Sequence, residues 1–103
     1  MDVSHREIRL PLDEVVSVLR DLNEFVVSLD RIGSRMASGT ADAHTLGTFV
    51  LDWDVARRLS RARHVIGVAL DGQLSEEENA EIDALCEEGR FYGADGTPAD
   101  RSG

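Results

Sequence analysis

Apolar side chains recur at alternating spacings of three and four residues through the first third of the chain, which is the heptad pattern of an amphipathic helix. This row consists of Leu12, Val15, Leu19, Leu22, Val26, Leu29, Gly33 and Met36. A second row, with a spacing of seven, consists of Val18, Phe25 and Ile32. The two rows cover an arc of roughly 140° on a helix with about 100° per residue, so we expect this helix to contact more than one neighbour.

The first helix is predicted to span residues 11–37. Pro11 suits the first turn of a helix, and Gly39 suits the left-handed position that follows a helix end. Residues 1–10 are predicted to be an extended lead-in. The weak alternation at residues 7–10 leaves open whether part of this lead-in is a short strand.

A second long helix is predicted over residues 41–70, with Thr40 or Asp42 as its cap. The apolar stripe expected to pack on the first helix consists of Leu51, Val55, Leu59, Ala62, Ile66 and Ala69. A separate apolar patch on another side of this helix consists of Phe49, Trp53 and Ala56. This patch requires a partner of its own, either a third helix of the same chain or a second protein chain, and we assign it as the candidate partner-binding site.

A short acidic helix is predicted over residues 76–88. Ser75 and Glu78 have the spacing of a capping box, in which each side chain bonds to the other residue's backbone N–H. The residues expected to face inward are Ile82, Leu85 and Cys86. Residues 91–103 have the composition of a flexible C-terminal tail.

These elements predict an all-α fold with a single helical domain over residues 11–90. The short connection near residue 39 implies that the two long helices form an antiparallel hairpin, to which the third helix is added. Two helices with wide or doubled apolar faces cannot bury both faces against each other. We therefore expect a homodimer that completes a helical bundle resembling a coiled coil.

The charge balance narrows the classes of partner. Formal net charge is −9, and all eleven basic residues are arginine. An acidic protein is a poor match for nucleic acid or an anionic membrane, so a basic protein is the expected chemistry of any further partner. The longest apolar run, residues 65–70, is too short to span a membrane. The start of the chain has no signal-peptide pattern and Cys86 is the only cysteine, which together favour a cytoplasmic protein.

The basic residues Arg57, Arg58, Arg61 and His64 share one face of the second helix and are the candidate site for an anionic ligand. The competing interpretation is a solvated helix face, partly neutralised by Asp54 at spacings of three and four from two of the arginines. Eight acids and no base occur in residues 71–88. They either dock a basic protein or favour the start of the third helix and pair with the arginines.

No pattern predicts catalysis, a metal or a cofactor. The three histidines have no nearby nucleophile or carboxylate at activating spacing. The leading prediction is thus a non-enzymatic protein–protein interaction module, such as a small regulator, an adaptor or an immunity-type protein. The alternative is a small-ligand or nucleotide sensor that uses the arginine face.

Overall fold

A computed structural model describes residues 3–89, 91–93 and 98–99, and these residues are mostly helical. The elements in chain order are a short 3₁₀ helix Val3–His5, α1 Leu12–Ala37, α2 Ala43–Asp52, α3 Val55–Gln73, α4 Glu76–Glu87, β1 Phe91–Tyr92 and β2 Pro98–Ala99. The all-α fold class predicted from the sequence is confirmed at this level. Among the described residues, no helix is both long enough and apolar enough to cross a membrane.

Helix α1 ends at the predicted residue and begins one residue later than predicted. It begins directly after Pro11, and Ser38 is its C-terminal cap. Gly39 follows with a φ of 78°, in the left-handed region that glycine enters without steric cost. The Gly39 N–H donates to the Met36 carbonyl and the Thr40 N–H donates to the Arg35 carbonyl. This pair of bonds is the Schellman arrangement that satisfies the last carbonyls of a helix.

The predicted continuous helix over 41–70 is wrong, because the chain breaks it into α2 and α3. Asp42 caps α2 through a reciprocal capping box with Thr45. The break lies at Trp53 and Asp54, where Asp54 has a φ of 52°. Aspartate tolerates this left-handed conformation better than most residues, and the apolar periodicity gives no sign of it.

Helix α4 has the predicted Ser75–Glu78 capping box in full. The prediction that its apolar residues face inward is wrong for Leu85 and Cys86, which are exposed, while Ile82 is half-buried. The open question on the lead-in is answered by the backbone, since residues 7–10 form no strand.

The region predicted as a flexible tail contains a short antiparallel ladder. Phe91 pairs with Ala99 and Tyr92 pairs with Pro98. The rest of the predicted tail, residues 94–97 and 100–103, lies outside the described residues. Turn-type composition did not predict this pairing, because two-residue strands carry almost no periodic signal.

The described chain divides into two compact units. The single helical domain over residues 11–90 stays a prediction. One unit is Arg9–Val68, which holds α1, α2 and most of α3. The other combines the described residues through Ile8 with those from Ala69 onward. Among the described residues of this second unit, the buried side chains are Leu74 and Glu78.

The core of the Arg9–Val68 unit is small. Its buried side chains are Val18, Phe25, Phe49 and Ala62. The predicted packing stripe of α2 and α3 is only partly correct, since Leu51, Leu59 and Ile66 are exposed. The residues of α1 that become buried belong to its second row, not to its longer heptad row.

Candidate interaction surface

Helix α1 has one narrow stripe of buried and half-buried side chains, which we call the inner row. It consists of Val18, Asp21, Phe25, Ser28 and Ile32, at alternating spacings of three and four. All five are buried or half-buried. Two of the five are polar, so contact across this row requires polar partners as well as apolar packing.

An aromatic junction forms where Phe25 meets α2. The rings of Phe25 and Phe49 are edge-to-face with centroids 6.4 Å apart. The ring centroids of Phe49 and Trp53 are 5.4 Å apart. Edge-to-face pairs at this separation are favourable because the positive ring edge meets the negative ring face. The Arg58 guanidinium lies 4.5 Å above the centre of the Phe25 ring, within cation–π range.

The predicted partner-binding patch is therefore only partly accessible. Phe49 is buried within its own chain. Trp53 keeps 47% of its surface exposed, and Ala56 is exposed beside it. The part of this patch open to another molecule consists of Trp53 and Ala56, with the exposed Leu51 nearby in sequence.

Two of the candidate ligand-binding arginines are held by acids of α1. The Asp21 carboxylate accepts hydrogen bonds from Arg58 Nη2 at 2.7 Å and from Arg61 Nη2 at 2.8 Å. Arg58 also pairs with Glu24 and donates to the Trp53 carbonyl at 3.3 Å, while Arg61 donates to a serine hydroxyl of α1. Only 18% of the Arg58 side chain is exposed. This guanidinium therefore binds the end of α2 to the middle of α1.

The electrostatics of this cluster agree with its geometry. Hydrogen bonds from Arg61 and then Arg58 hold the pKa of Asp21 below its ordinary value of 3.8. The hydrogen bond with Asp21 likewise raises the pKa of Arg58. Both groups are thus fully charged at neutral pH, and each stabilises the charge of the other.

The remaining members of the predicted arginine face lie further from these acids. Arg57 pairs with Asp54 at 3.0 Å, and both side chains are largely exposed. His64 is exposed one turn beyond Arg61. The helix face is thus divided between Arg58 and Arg61, which contact α1, and Arg57 and His64, which lie at the surface.

The longer heptad row of α1, which we call the outer row, is largely uncovered in the Arg9–Val68 unit. It comprises Leu12, Val15, Leu19, Leu22, Val26, Leu29, Gly33 and Met36. Leu12, Leu19 and Val26 are 75%, 61% and 66% exposed, and the other large side chains except Val15 are also classed as exposed. An apolar cavity of about 160 Å³ borders the row and is lined by Leu10, Val15, Val18, Leu19, Leu22, Val65 and Ile66.

The acidic helix α4 has one buried carboxylate. Glu78 accepts a hydrogen bond from the Ser75 N–H at 3.0 Å, and its second oxygen lies 3.4 Å from Arg6 Nε. The backbone hydrogen bond, followed by the charge of Arg6, lowers the pKa of Glu78 despite its burial. In this position Glu78 fixes the start of α4 and the lead-in. No group of three or more histidine, cysteine, aspartate or glutamate side chains in the described ranges is placed to hold a metal ion.

The sequence analysis did not identify Asp21 and Glu24 as the acids that pair with the candidate ligand-binding arginines. A signal for Asp21 was present, because it lies between Val18 and Phe25 at helical spacing and thus shares their face. An acid inside a partly buried row indicates a cation on the facing helix.

Comparison with protein-family models, with curated proteins and with solved structures finds no match for this chain. The function must therefore be inferred from the surfaces described above.

Proposed function

We propose that this chain is a non-enzymatic protein–protein interaction module, of the kind that serves as a small regulator, an adaptor or an immunity-type protein. The single observation that carries this proposal is the amount of large apolar surface left uncovered on α1. Surface apolar residues are ordinary when scattered, but a contiguous row of this length is typical of an interaction surface.

The proposal includes a helical hairpin made of α1 and the α2–α3 segment. The pairs Ser17–Arg61 and Glu24–Arg58 support this arrangement, because the contact positions rise along one helix and fall along the other. It also includes self-association into a homodimer with a helical-bundle core. A second copy would cover apolar side chains that the small core of one chain leaves exposed.

A further partner of basic character is proposed to use Trp53 and Ala56 or the acidic α4. An exposed tryptophan next to a rigid aromatic neighbour is a frequent anchor of protein interfaces. Cytoplasmic location is part of the same proposal and rests on the lone cysteine, since a reducing compartment requires no disulfide.

The alternative, a ligand or nucleotide sensor on the arginine face, has less support. An anion would have to compete with Asp21 and Glu24 for Arg58, whose side chain is already enclosed by α1. Arg57 and His64 are more accessible, but two exposed groups give weak anion affinity in water. Isothermal titration with nucleoside phosphates tests this alternative, and the interaction-module proposal predicts no measurable heat of binding.

The proposal is tested by measuring mass and tryptophan exposure on the same samples. Light scattering across a concentration series should give a dimer mass, since the chain has a mass of 11.3 kDa and one copy leaves its apolar rows uncovered. Iodide quenching reports on Trp53 alone, because it is the only tryptophan. Unchanged quenching in the dimer would leave Trp53 available to a second partner. A monomer at all concentrations would contradict self-association.

A further inference from the structure

We propose that two copies pair through the outer row of α1, with the two α1 helices antiparallel and centred on position 24. This proposal rests on the proposed function and specifies which surface carries self-association. The inner row holds α1 to its own chain, so the outer row is a second, separate face of the same helix. The centres of the two rows lie about 100° apart on an ideal helix, which allows both to be used at once.

The size of the row fits a homodimer. From Leu12 to Met36 it runs for about 36 Å at 1.5 Å per residue. The exposed side chains of the row offer on the order of 500 Å² in each copy, or about 1,000 Å² in a pair, which reaches the size at which specific interfaces begin. Alternating spacings of three and four over this length are the pattern that packs knobs into holes between two helices.

The antiparallel direction follows from which side chains of the two helices would face each other in an antiparallel and in a parallel pair. With position 24 at the centre, Leu19 lies opposite Leu29 of the second copy, and Gly33 lies opposite Val15 of the second copy. In a parallel pair Gly33 would face Gly33, which leaves a layer with no side chains at all. Apart from its chain neighbours and the adjacent backbone of α1, no atom of the described chain lies within 4 Å of a Cβ built on Gly33. An unfilled layer lowers the stability of a packed interface, and the antiparallel pair avoids it.

Disulfide formation between designed cysteines tests the arrangement. The variants Leu19→Cys and Leu29→Cys are made in a Cys86→Ser background, one of them labelled with ¹⁵N, and mixed in a glutathione redox buffer. Mass spectrometry then separates mixed disulfides from those between identical chains. The expected result is an excess of at least roughly tenfold of the mixed disulfide, because positions 19 and 29 face each other while identical positions lie about 15 Å apart.

The outcomes separate this proposal from the more general one. Disulfides only between identical chains would establish a parallel pair and overturn the antiparallel arrangement. A stable dimer that forms no disulfide in any mixture would overturn the outer row as the interface while leaving the interaction module intact. A wild-type chain that stays monomeric at every concentration would overturn self-association as a whole.

Discussion

Replacing Phe25 by alanine should remove the aromatic and cation–π contacts that join α1 to the α2–α3 segment. Only 5% of Phe25 is exposed. Its ring meets Phe49 edge-to-face and also lies under the guanidinium of Arg58. No other side chain of α1 contacts both an aromatic ring and a guanidinium in the contacts described above. Because the rest of α1 is mostly exposed, the loss in the free energy of unfolding should be large.

The expected loss in the free energy of unfolding is about 3 kcal/mol. Removing a buried phenylalanine ring costs about 3–5 kcal/mol, and the lower end applies because the small core leaves a cavity that can partly collapse. Of this, the aromatic pair accounts for about 1 kcal/mol and the cation–π contact for about 0.5–1 kcal/mol. Phe25→Leu keeps most of the apolar volume but loses both ring contacts, so it should cost about 1–2 kcal/mol.

The measurement is urea denaturation followed by circular dichroism at several protein concentrations, because dimerisation makes apparent stability depend on concentration. Val27→Ala is the control, since Val27 lies on the same helix but is exposed, and its free energy of unfolding should remain within about 0.5 kcal/mol of wild type. A loss below about 1 kcal/mol for Phe25→Ala, or equal losses for the alanine and leucine variants, would refute this account of the junction.

Three further predictions follow from the charged groups and caps. Arg58→Ala should lower Tm by roughly 5 °C or more, whereas Arg57→Ala on the same helix should leave Tm nearly unchanged, because only Arg58 is enclosed by α1. The lowered pKa of Asp21 means that its charge stabilises the fold above the ordinary value of 3.8, and that this contribution is lost as pH falls through the lower folded value. The stability difference between wild type and Asp21→Asn should thus be constant above about pH 5 and shrink in acid titrations. Ser75→Ala should cost about 1 kcal/mol in denaturation experiments by removing the cap of α4, with Ser60→Ala as a control that costs nothing.

The sequence predicts the local features of this fold well where one residue type suits one conformation. Gly39 ends α1 because the left-handed position favours glycine, and the Ser75–Glu78 spacing starts α4 because each side chain completes the other's hydrogen bond. Such signals depend on neighbouring residues only, so they are readable without knowledge of the tertiary fold.

The break at Trp53–Asp54 and the choice of buried row are not predictable in the same way. Residues on both sides of Asp54 have helical propensity, and the turn is held by contacts such as the Arg58 side chain on the Trp53 carbonyl. The outer row of α1 has more apolar residues than the inner row, yet the inner row is the buried one. The inner row is buried because Phe25 packs there and because Asp21 pairs with Arg58 and Arg61. These arginines follow Asp21 by 37 and 40 residues, so a helical projection of α1 alone does not include them.

For the candidate sites, sequence spacing predicted which residues share a helix face, but it did not predict which other residues they contact. The helical projection placed Arg57, Arg58 and Arg61 on one face, but it assigned them to solvent or ligand without considering acids on α1. It also grouped Phe49 with Trp53, although Phe49 is buried against Phe25 while Trp53 remains half exposed. Accessibility depends on the facing helix, and that information is tertiary.

The claim that the outer row of α1 mediates self-association is tested most directly by the mass of matched variants in sedimentation equilibrium. Leu19→Lys with Val26→Lys places two charges in the row, and Thr48→Lys with Ser60→Lys makes the same charge change at exposed positions of α2 and α3. Wild type and the control should have twice the chain mass of 11.3 kDa, and the row variant should have the chain mass with unchanged helicity. A row variant that remains a dimer, or a wild-type chain that is monomeric throughout, would contradict the account.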